Sequence, residues 1–120
     1  MTDIVKSKIS SDMLLRHLDQ GFGDMVKIAA DIEQGIIALG GMLHADAEEL
    51  LIRHGSKQSN VWGANIYPWE QGENRIEYTA LINIRPAQDN PSMFIQNAEI
   101  RNTIKNLIER LIIGPHEKLV

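Results

Sequence analysis

A histidine and two carboxylates lie close together ahead of a predicted helix. His44 is followed by Asp46 and Glu48 at spacings of two residues. Such a group can bind a divalent cation, or a carboxylate can orient the imidazole as a general base. Asp46 also suits a helix N-terminus as a cap, and no second histidine stands at a ligand spacing. We therefore expect no metal and no cofactor, and keep His44 and Asp46 as candidate ligand-binding residues.

A second polar group lies in the loop GSKQS at residues 55–59. Ser56 and Lys57 follow a glycine, so backbone N–H groups and one positive charge can hold an anion together. The full phosphate-binding pattern of a P-loop is missing, and a solvated turn is the alternative interpretation. A small anionic ligand is therefore a candidate partner at this loop.

Three further candidates lie on predicted strands: Asn65, Asn83 and Arg85. An arginine held on a strand can bind a carboxylate or a phosphate at two points. It can equally form an ion pair inside the fold. The acidic residues expected to serve in such a pair are Asp24, Asp31 and Asp89.

The strands that would carry these residues form a predicted hairpin over residues 60–86. Apolar and other residues alternate in both arms, and residues 70–74, EQGEN, suit a chain reversal. With the reversal near Gly72, Ile66 lies opposite Tyr78 and Trp62 lies opposite Ile82. The residues predicted to share the apolar face are Trp62, Ala64, Ile66, Ile76, Tyr78, Ala80, Ile82 and Ile84.

A second hairpin is predicted over residues 26–39, where residues 26–33 alternate strictly and Gly35 interrupts the run. A helix is the main alternative for residues 26–32, because alanine, glutamate and glutamine favour helices. Residues 1–8 carry no strong period, and they fit either a lead-in or a short edge strand through Ile4 and Val5.

Three helices complete the predicted fold. The first covers about residues 11–20, the second covers residues 44–55 with Asp46 as its cap, and the third follows the cap Asn97 and ends before Gly114. The apolar stripe of the third helix comprises Ile100, Ile104, Leu107, Ile108 and Leu111. The sequence therefore predicts a single α+β domain over residues 1–120, with the order α-β-β-α-β-β-α. Its four-stranded, mainly antiparallel sheet has all three helices packed on one face.

Composition limits the classes of function. The 120 residues include 43% hydrophobic residues and no cysteine, and the formal charge is −4. One core of ordinary size fits this length, and an acidic chain is a poor ligand for a nucleic-acid backbone. With neither a membrane-spanning run nor an export signal in the sequence, we expect a cytoplasmic protein.

Several short motifs stand out between residues 22 and 90. They are FGDMVK at 22–27, GGMLHAD at 40–46, GSKQ at 55–58, NVWGANIYP at 60–68 and INIRP at 82–86. In these motifs the chain resembles a family of small bacterial proteins of unknown function. The resemblance implies that the chain is a complete member of that family, and it implies no activity.

Two function classes follow. The first is a small binding or assembly module. The second is a small hydrolase-like enzyme that uses His44 with Asp24 or Asp46 and holds an anion with Lys57 and Arg85. We favour the first, because no nucleophile elbow, metal motif or glycine-rich cofactor motif is present.

A homodimer is the expected assembly. The edges of a small sheet need protection, and Leu111, Ile112 and Ile113 place apolar side chains on more than one side of the last helical turn. Trp69, beside the predicted reversal, is either an anchor for a partner or a partly exposed tip residue.

Overall fold

The computed structural model describes residues 1–119, which form a five-stranded antiparallel sheet with helices on both faces. The sheet order is β1-β3-β2-β4-β5. The α+β class, the three helices and the antiparallel pairing are confirmed, but the predicted number of four strands is wrong. The elements along the chain are β1 (Thr2–Val5), α1 (Ser11–Gln20), β2 (Val26–Asp31), β3 (Ile36–Gly40), α2 (His44–Arg53), β4 (Val61–Ile66), β5 (Ile76–Glu77) and α3 (Ala98–Leu111).

The first hairpin forms as predicted. Strands β2 and β3 pair antiparallel, and the helical alternative for residues 26–32 is wrong. Asp31 ends β2, and its carboxylate accepts the backbone N–H groups of Glu33 and Gln34 at 3.0 and 2.9 Å. Gly35 then adopts a φ of 69°, which suits a residue without Cβ. The extra strand is β1, which pairs with β3 at residues that the sequence left open.

The helices lie on two faces of the sheet, so the prediction of three helices on one face is wrong. Helices α1 and α3 pack in the larger core; four residues of the predicted α3 stripe are buried, and Ile100 is partly buried against that core. Helix α2 packs Ala47 and Leu51 in a smaller core on the opposite face. That face is also apolar there: it presents Ala29, Ala38 and Val61. Small side chains let a helix approach the sheet closely, so both faces are buried.

The cap predicted for α3 is present, because Asn97 accepts the N–H groups of Glu99 and Ile100. At the start of α1, Ser10 accepts the N–H of Met13. The cap predicted for α2 is wrong, because Leu43 occupies the N-cap position. The carboxylate of Asp46 instead accepts the N–H of Leu43 at 3.1 Å, from the third position of the helix.

The second hairpin is much shorter than predicted. Ile66 lies opposite Ile76 rather than Tyr78, and β5 ends at Glu77. Residues 78–80 then pair with residues 93–95 through a bridge between Thr79 and Phe94. Leu81–Asn83 forms a 3-10 turn, so the predicted strand over residues 76–85 is wrong beyond Glu77.

The side chain of Asn83 provides the pairing that the missing strand would have made with β4. Its Oδ1 accepts the N–H of Gly63 at 2.8 Å, and its Nδ2 donates to the carbonyl of Gly63 at 2.9 Å. A Cβ on Gly63 would stand 2.7 Å from the Cβ of Ala80, so glycine is needed for this close crossing. One amide therefore satisfies both polar groups of a strand residue.

The apolar residues at the C-terminal end of α3 are buried by other residues of the same chain. Leu111, Ile112 and Ile113 are all buried, so the excess apolar surface expected at this turn is absent. This removes one of the two reasons for expecting a dimer, and the dimer itself stays a prediction. Among residues 1–119, no helix is both long enough and apolar enough to cross a membrane.

Candidate functional site

His44, in the first turn of α2, is hydrogen-bonded to β4. Its Nε2 lies 2.7 Å from Oδ1 of Asn65 and 3.1 Å from the carbonyl oxygen of Ala64. The amide of Asn65 is oriented by Nδ2, which donates to Oε1 of Glu77 at 2.7 Å. Both neighbours of Nε2 are therefore acceptors, and Nε2 carries the proton. Burial lowers the pKa of His44, and its hydrogen bonds to Ala64 and Asn65 only partly oppose this.

The carboxylates expected to orient His44 are engaged or lie elsewhere. Asp46 bonds the backbone of Leu43, as described above, and Asp24 makes no hydrogen bond to His44 within residues 1–119. In the same part of the chain, no group of three or more histidine, cysteine, aspartate or glutamate side chains is arranged to hold a metal. The imidazole therefore serves as a donor between two elements.

Ser56 belongs to a buried carboxylate rather than to an open anion site. Its Oγ donates to Oδ2 of Asp31 at 2.6 Å, and both residues are buried. Gln34 donates its side-chain N–H to the same oxygen at 2.9 Å. Lys57, the next residue, is exposed. The serine and the lysine of the GSKQ loop thus point to different environments.

Arg85 makes an internal ion pair, but with a partner that the sequence did not indicate. Its Nη2 lies 3.2 Å from Oε2 of Glu48, and only 9% of the arginine side chain is exposed. It also donates to the carbonyls of Gln58, at 2.8 Å, and Val61. The guanidinium carbon lies 4.7 Å from the ring centre of Trp62. Desolvation raises the pKa of Glu48, against the attraction of Arg85.

The seven candidates do not form one site. His44 stands at the first residue of α2, whereas Ser56 and Lys57 follow the end of that helix. Neither of two concavities on the surface of residues 1–119 has His44, Lys57 or Arg85 in its lining. The polar side chains of His44, Ser56 and Arg85 bond groups of the chain itself, as those of Asn65 and Asn83 do. Their shared role in the structure is to join distant segments.

In the segment between β5 and α3, polar side chains are buried and large apolar side chains are exposed, which is the reverse of an ordinary surface loop. Asn83 and Asn90 are 0% and 3% exposed. The side chain of Asn90 donates to the carbonyls of Asn83, Ser92 and Phe94 at 2.7, 3.0 and 3.1 Å. The polar side chains therefore form the interior of the loop and fix its shape.

Large apolar side chains cover the outside of the same segment. Leu81 is 70% exposed and Phe94 is 46% exposed. We call the whole set the apolar loop surface: Leu81, Ile84, Met93 and Phe94. The sequence did not predict this surface, because its alternation places Ile84 on the core face of a strand, whereas β5 ends at Glu77. The available signal was a run of apolar residues interspersed with asparagine and proline, which are poor strand residues.

A groove of about 1060 Å³ adjoins this surface, between β5 and α3. Phe94 belongs to both, and the guanidinium carbon of Arg101 lies 5.0 Å from its ring centre. Tyr78 forms part of the wall; burial raises the pKa of its hydroxyl, and Glu109 adds to that effect. The groove is also lined by charged and apolar side chains of both walls: Glu73, Arg75, Ile76, Glu77, Lys105 and Glu109.

These features define a layered α+β domain with internally bonded polar residues, an apolar loop surface and an adjoining groove. The comparison with family models agrees with the resemblance seen in the motifs. A family described as "Protein of unknown function (DUF5674)" matches residues 3–111, and the chain belongs to that family. No curated protein and no solved structure matches the chain.

Proposed function

We propose that this protein is a small binding module that holds a partner protein through the apolar loop surface and the adjoining groove. The observation that carries the proposal is the inverted loop, with asparagines inside and leucine, isoleucine, methionine and phenylalanine outside. Leaving large apolar side chains in water is unfavourable, whereas burying them against a partner is favourable. A surface of this kind is typical of protein interaction sites.

The rigidity of the loop supports the same function. Asn83 and Asn90 bond backbone groups on both sides of the loop, and Arg85 exchanges backbone hydrogen bonds with Asn90 at 2.6 and 3.0 Å. A loop held in this way loses little conformational freedom when a partner binds. The internal hydrogen bonds therefore prepare the exposed side chains for contact.

The alternative, a hydrolase-like enzyme built on His44, has less support. Nε2 of His44 donates into the fold, and Arg85 is paired with Glu48. Lys57 is exposed in a loop beyond the far end of α2 from His44. An anion held by Lys57 and Arg85 would thus lie away from the imidazole, so we do not propose this activity.

Site-directed photocrosslinking in the cells that express the protein tests the proposal. A photoreactive phenylalanine analogue replaces Leu81 or Phe94, and the same analogue at Arg16, exposed on α1, is the control. We expect one common crosslinked protein from the two loop positions and none from Arg16. That protein is then purified and its binding measured directly.

Two results would contradict the proposal. The first is the same set of crosslinked proteins from all three positions, which would indicate non-specific contact. The second is a crosslink from the loop positions only to another copy of this chain, which would replace a separate partner by self-association. Light scattering on the purified protein measures self-association separately, because the mass of the particle in solution can be compared with the chain mass of 13.5 kDa.

A further inference from the structure

The shape and charges of the groove indicate how a partner binds, and this inference rests on the proposed function. We propose that the groove takes an extended segment of the partner, which adds a strand to the open edge of β5. An acidic side chain of that segment lies over Arg101 and Lys105. Addition of a strand to a sheet edge is a general mode of peptide recognition, in which backbone hydrogen bonds supply affinity and side-chain contacts supply specificity.

The backbone of β5 presents the required groups. Tyr67 donates its N–H to the carbonyl of Arg75 at 2.7 Å, and Asn65 lies opposite Glu77. Arg75 and Glu77 therefore direct their pairing groups toward β4. Because these groups alternate along an antiparallel strand, the N–H and C=O of Ile76 point away from β4, toward the groove.

Part of the edge that continues from β5 is already paired with another segment of the chain. An added segment can therefore begin only where that pairing ends. Ile95 donates its N–H to the carbonyl of Tyr78 at 3.0 Å, so residues 93–95 lie beside residues 78–80. After Ile95 the chain turns away into α3, whose cap is Asn97. The position beside Ile76 is consequently left open within residues 1–119, and the groove occupies it.

The charges on the wall of the groove favour an acidic ligand at one end. Arg101 and Lys105 are four residues apart on α3, so they lie on the same side of the helix. Carbonyls of Ile95 and Gln96 hold Nη1 of Arg101 at 2.7 and 2.9 Å. Lys105 is exposed and makes no ion pair with the described residues.

A buried guanidinium adds to this positive charge. Arg75 is 5% exposed and donates to the carbonyls of Glu70, Gly114, Pro68 and Glu117, but it pairs with no carboxylate among residues 1–119. It also lines the groove. Glu109 stands one turn beyond Lys105, so the positive end of the α3 wall lies toward Phe94. The acidic side chain of the ligand is expected at that end.

A second copy of the chain fits this edge less well. The site is concave, and two copies related by a two-fold axis would bring two concave surfaces together. Glu73 and Glu77 line the groove near the edge of β5, so a symmetric pair would bring four carboxylates, two from each copy, into one interface. A narrow inserted segment avoids both problems.

The test uses a random peptide library displayed on phage, selected on the intact chain. We expect selected peptides rich in aspartate and glutamate and poor in proline. For one synthetic selected peptide, Lys105→Glu should weaken binding by at least about tenfold, because it reverses the charge at the contact. Lys6→Glu, the same change at an exposed lysine between β1 and α1, should leave binding unchanged.

Hydrogen exchange supplies the readout that identifies strand addition. The amide of Ile76 should exchange more slowly when the selected peptide is bound, because its N–H gains an acceptor. Three results would overturn the inference: no enrichment of peptides, enrichment of basic peptides, or tight binding without protection of Ile76. A further result would also overturn the inference: slow exchange of the Ile76 amide in the peptide-free protein, together with a dimer that Lys105→Glu dissociates. That result would show that a second copy of the chain occupies the groove.

Failure here is distinguishable from failure of the proposed function. A specific crosslinked partner at Leu81 and Phe94, with no protection of Ile76, would keep the binding module and remove the added strand. Loss of both signals would remove both proposals.

Discussion

Replacing Asn83 by alanine removes the amide that takes the place of a strand beside β4. The change deletes hydrogen bonds to the N–H of Gly63, the carbonyl of Gly63 and the carbonyl of Met93, at 2.8, 2.9 and 3.1 Å. Each such bond contributes about 0.5–1.5 kcal/mol net, and a buried donor left without an acceptor costs about 1–3 kcal/mol. Asn83 is 0% exposed, so bulk water does not solvate these groups in the folded protein. We expect a loss of about 3–4 kcal/mol in the free energy of unfolding.

Urea unfolding followed by tryptophan fluorescence measures this loss, because the buried Trp62 is adjacent to Gly63. Asn102→Ala is the matched control, since Asn102 is exposed on α3, and it should change stability by less than about 0.5 kcal/mol. A loss below about 1 kcal/mol for Asn83→Ala, with an unchanged dependence on urea, would refute the role given to this amide.

Two further predictions concern the core and pH. Ile104→Ala or Leu107→Ala should each cost about 2–5 kcal/mol in urea unfolding, because both side chains are buried; losses under about 1 kcal/mol at both positions would mean that the stripe is not packed. The pKa of His44 in the folded protein is lowered from its ordinary value of 6.5. As the pH falls through 6.5, the unfolded chain therefore takes up a proton at this residue more readily than the folded chain, and the free energy of unfolding decreases. His44→Gln should flatten this fall relative to the wild-type protein, and equal slopes in the two proteins would contradict the assignment.

The elements predicted correctly depend on local patterns. In β2 and β3, alternation and branched side chains agree, and Gly35 supplies the positive φ at the turn. In α3, the apolar stripe, the cap Asn97 and the stop at Gly114 all lie within one continuous segment. Such signals are consistent with one another over a few turns, so no distant contact is needed to interpret them.

The errors come from contacts between distant segments. The face chosen by α2 depends on small residues, such as Ala29 and Ala38, that alternation alone does not assign to a buried or an exposed face. The end of β5 depends on Asn83, whose side chain reaches back to Gly63, 20 residues earlier. The alternating pattern continues past Glu77, but β5 ends there, and the amide of Asn83 instead of a strand bonds Gly63.

Several of the candidate residues bond distant parts of the chain in the structure. Ser56 bonds Asp31, 25 residues away, and Arg85 pairs with Glu48, 37 residues away. Sequence spacing does not show such pairs, so polar residues that join segments resembled residues that hold a ligand. The apolar loop surface was missed for the converse reason: apolar residues were assumed to face a core.

The affinity of the crosslinked partner for a loop variant tests the binding module most directly. Leu81→Ser changes a residue that is 70% exposed, and Met42→Ser, at 64% exposure beyond β3, is the matched control. Isothermal titration calorimetry should show at least about a tenfold loss of affinity for Leu81→Ser, about 1.4 kcal/mol, and no change for Met42→Ser. Equal affinity of the wild-type protein and the Leu81→Ser variant for that partner would contradict binding through the apolar loop surface.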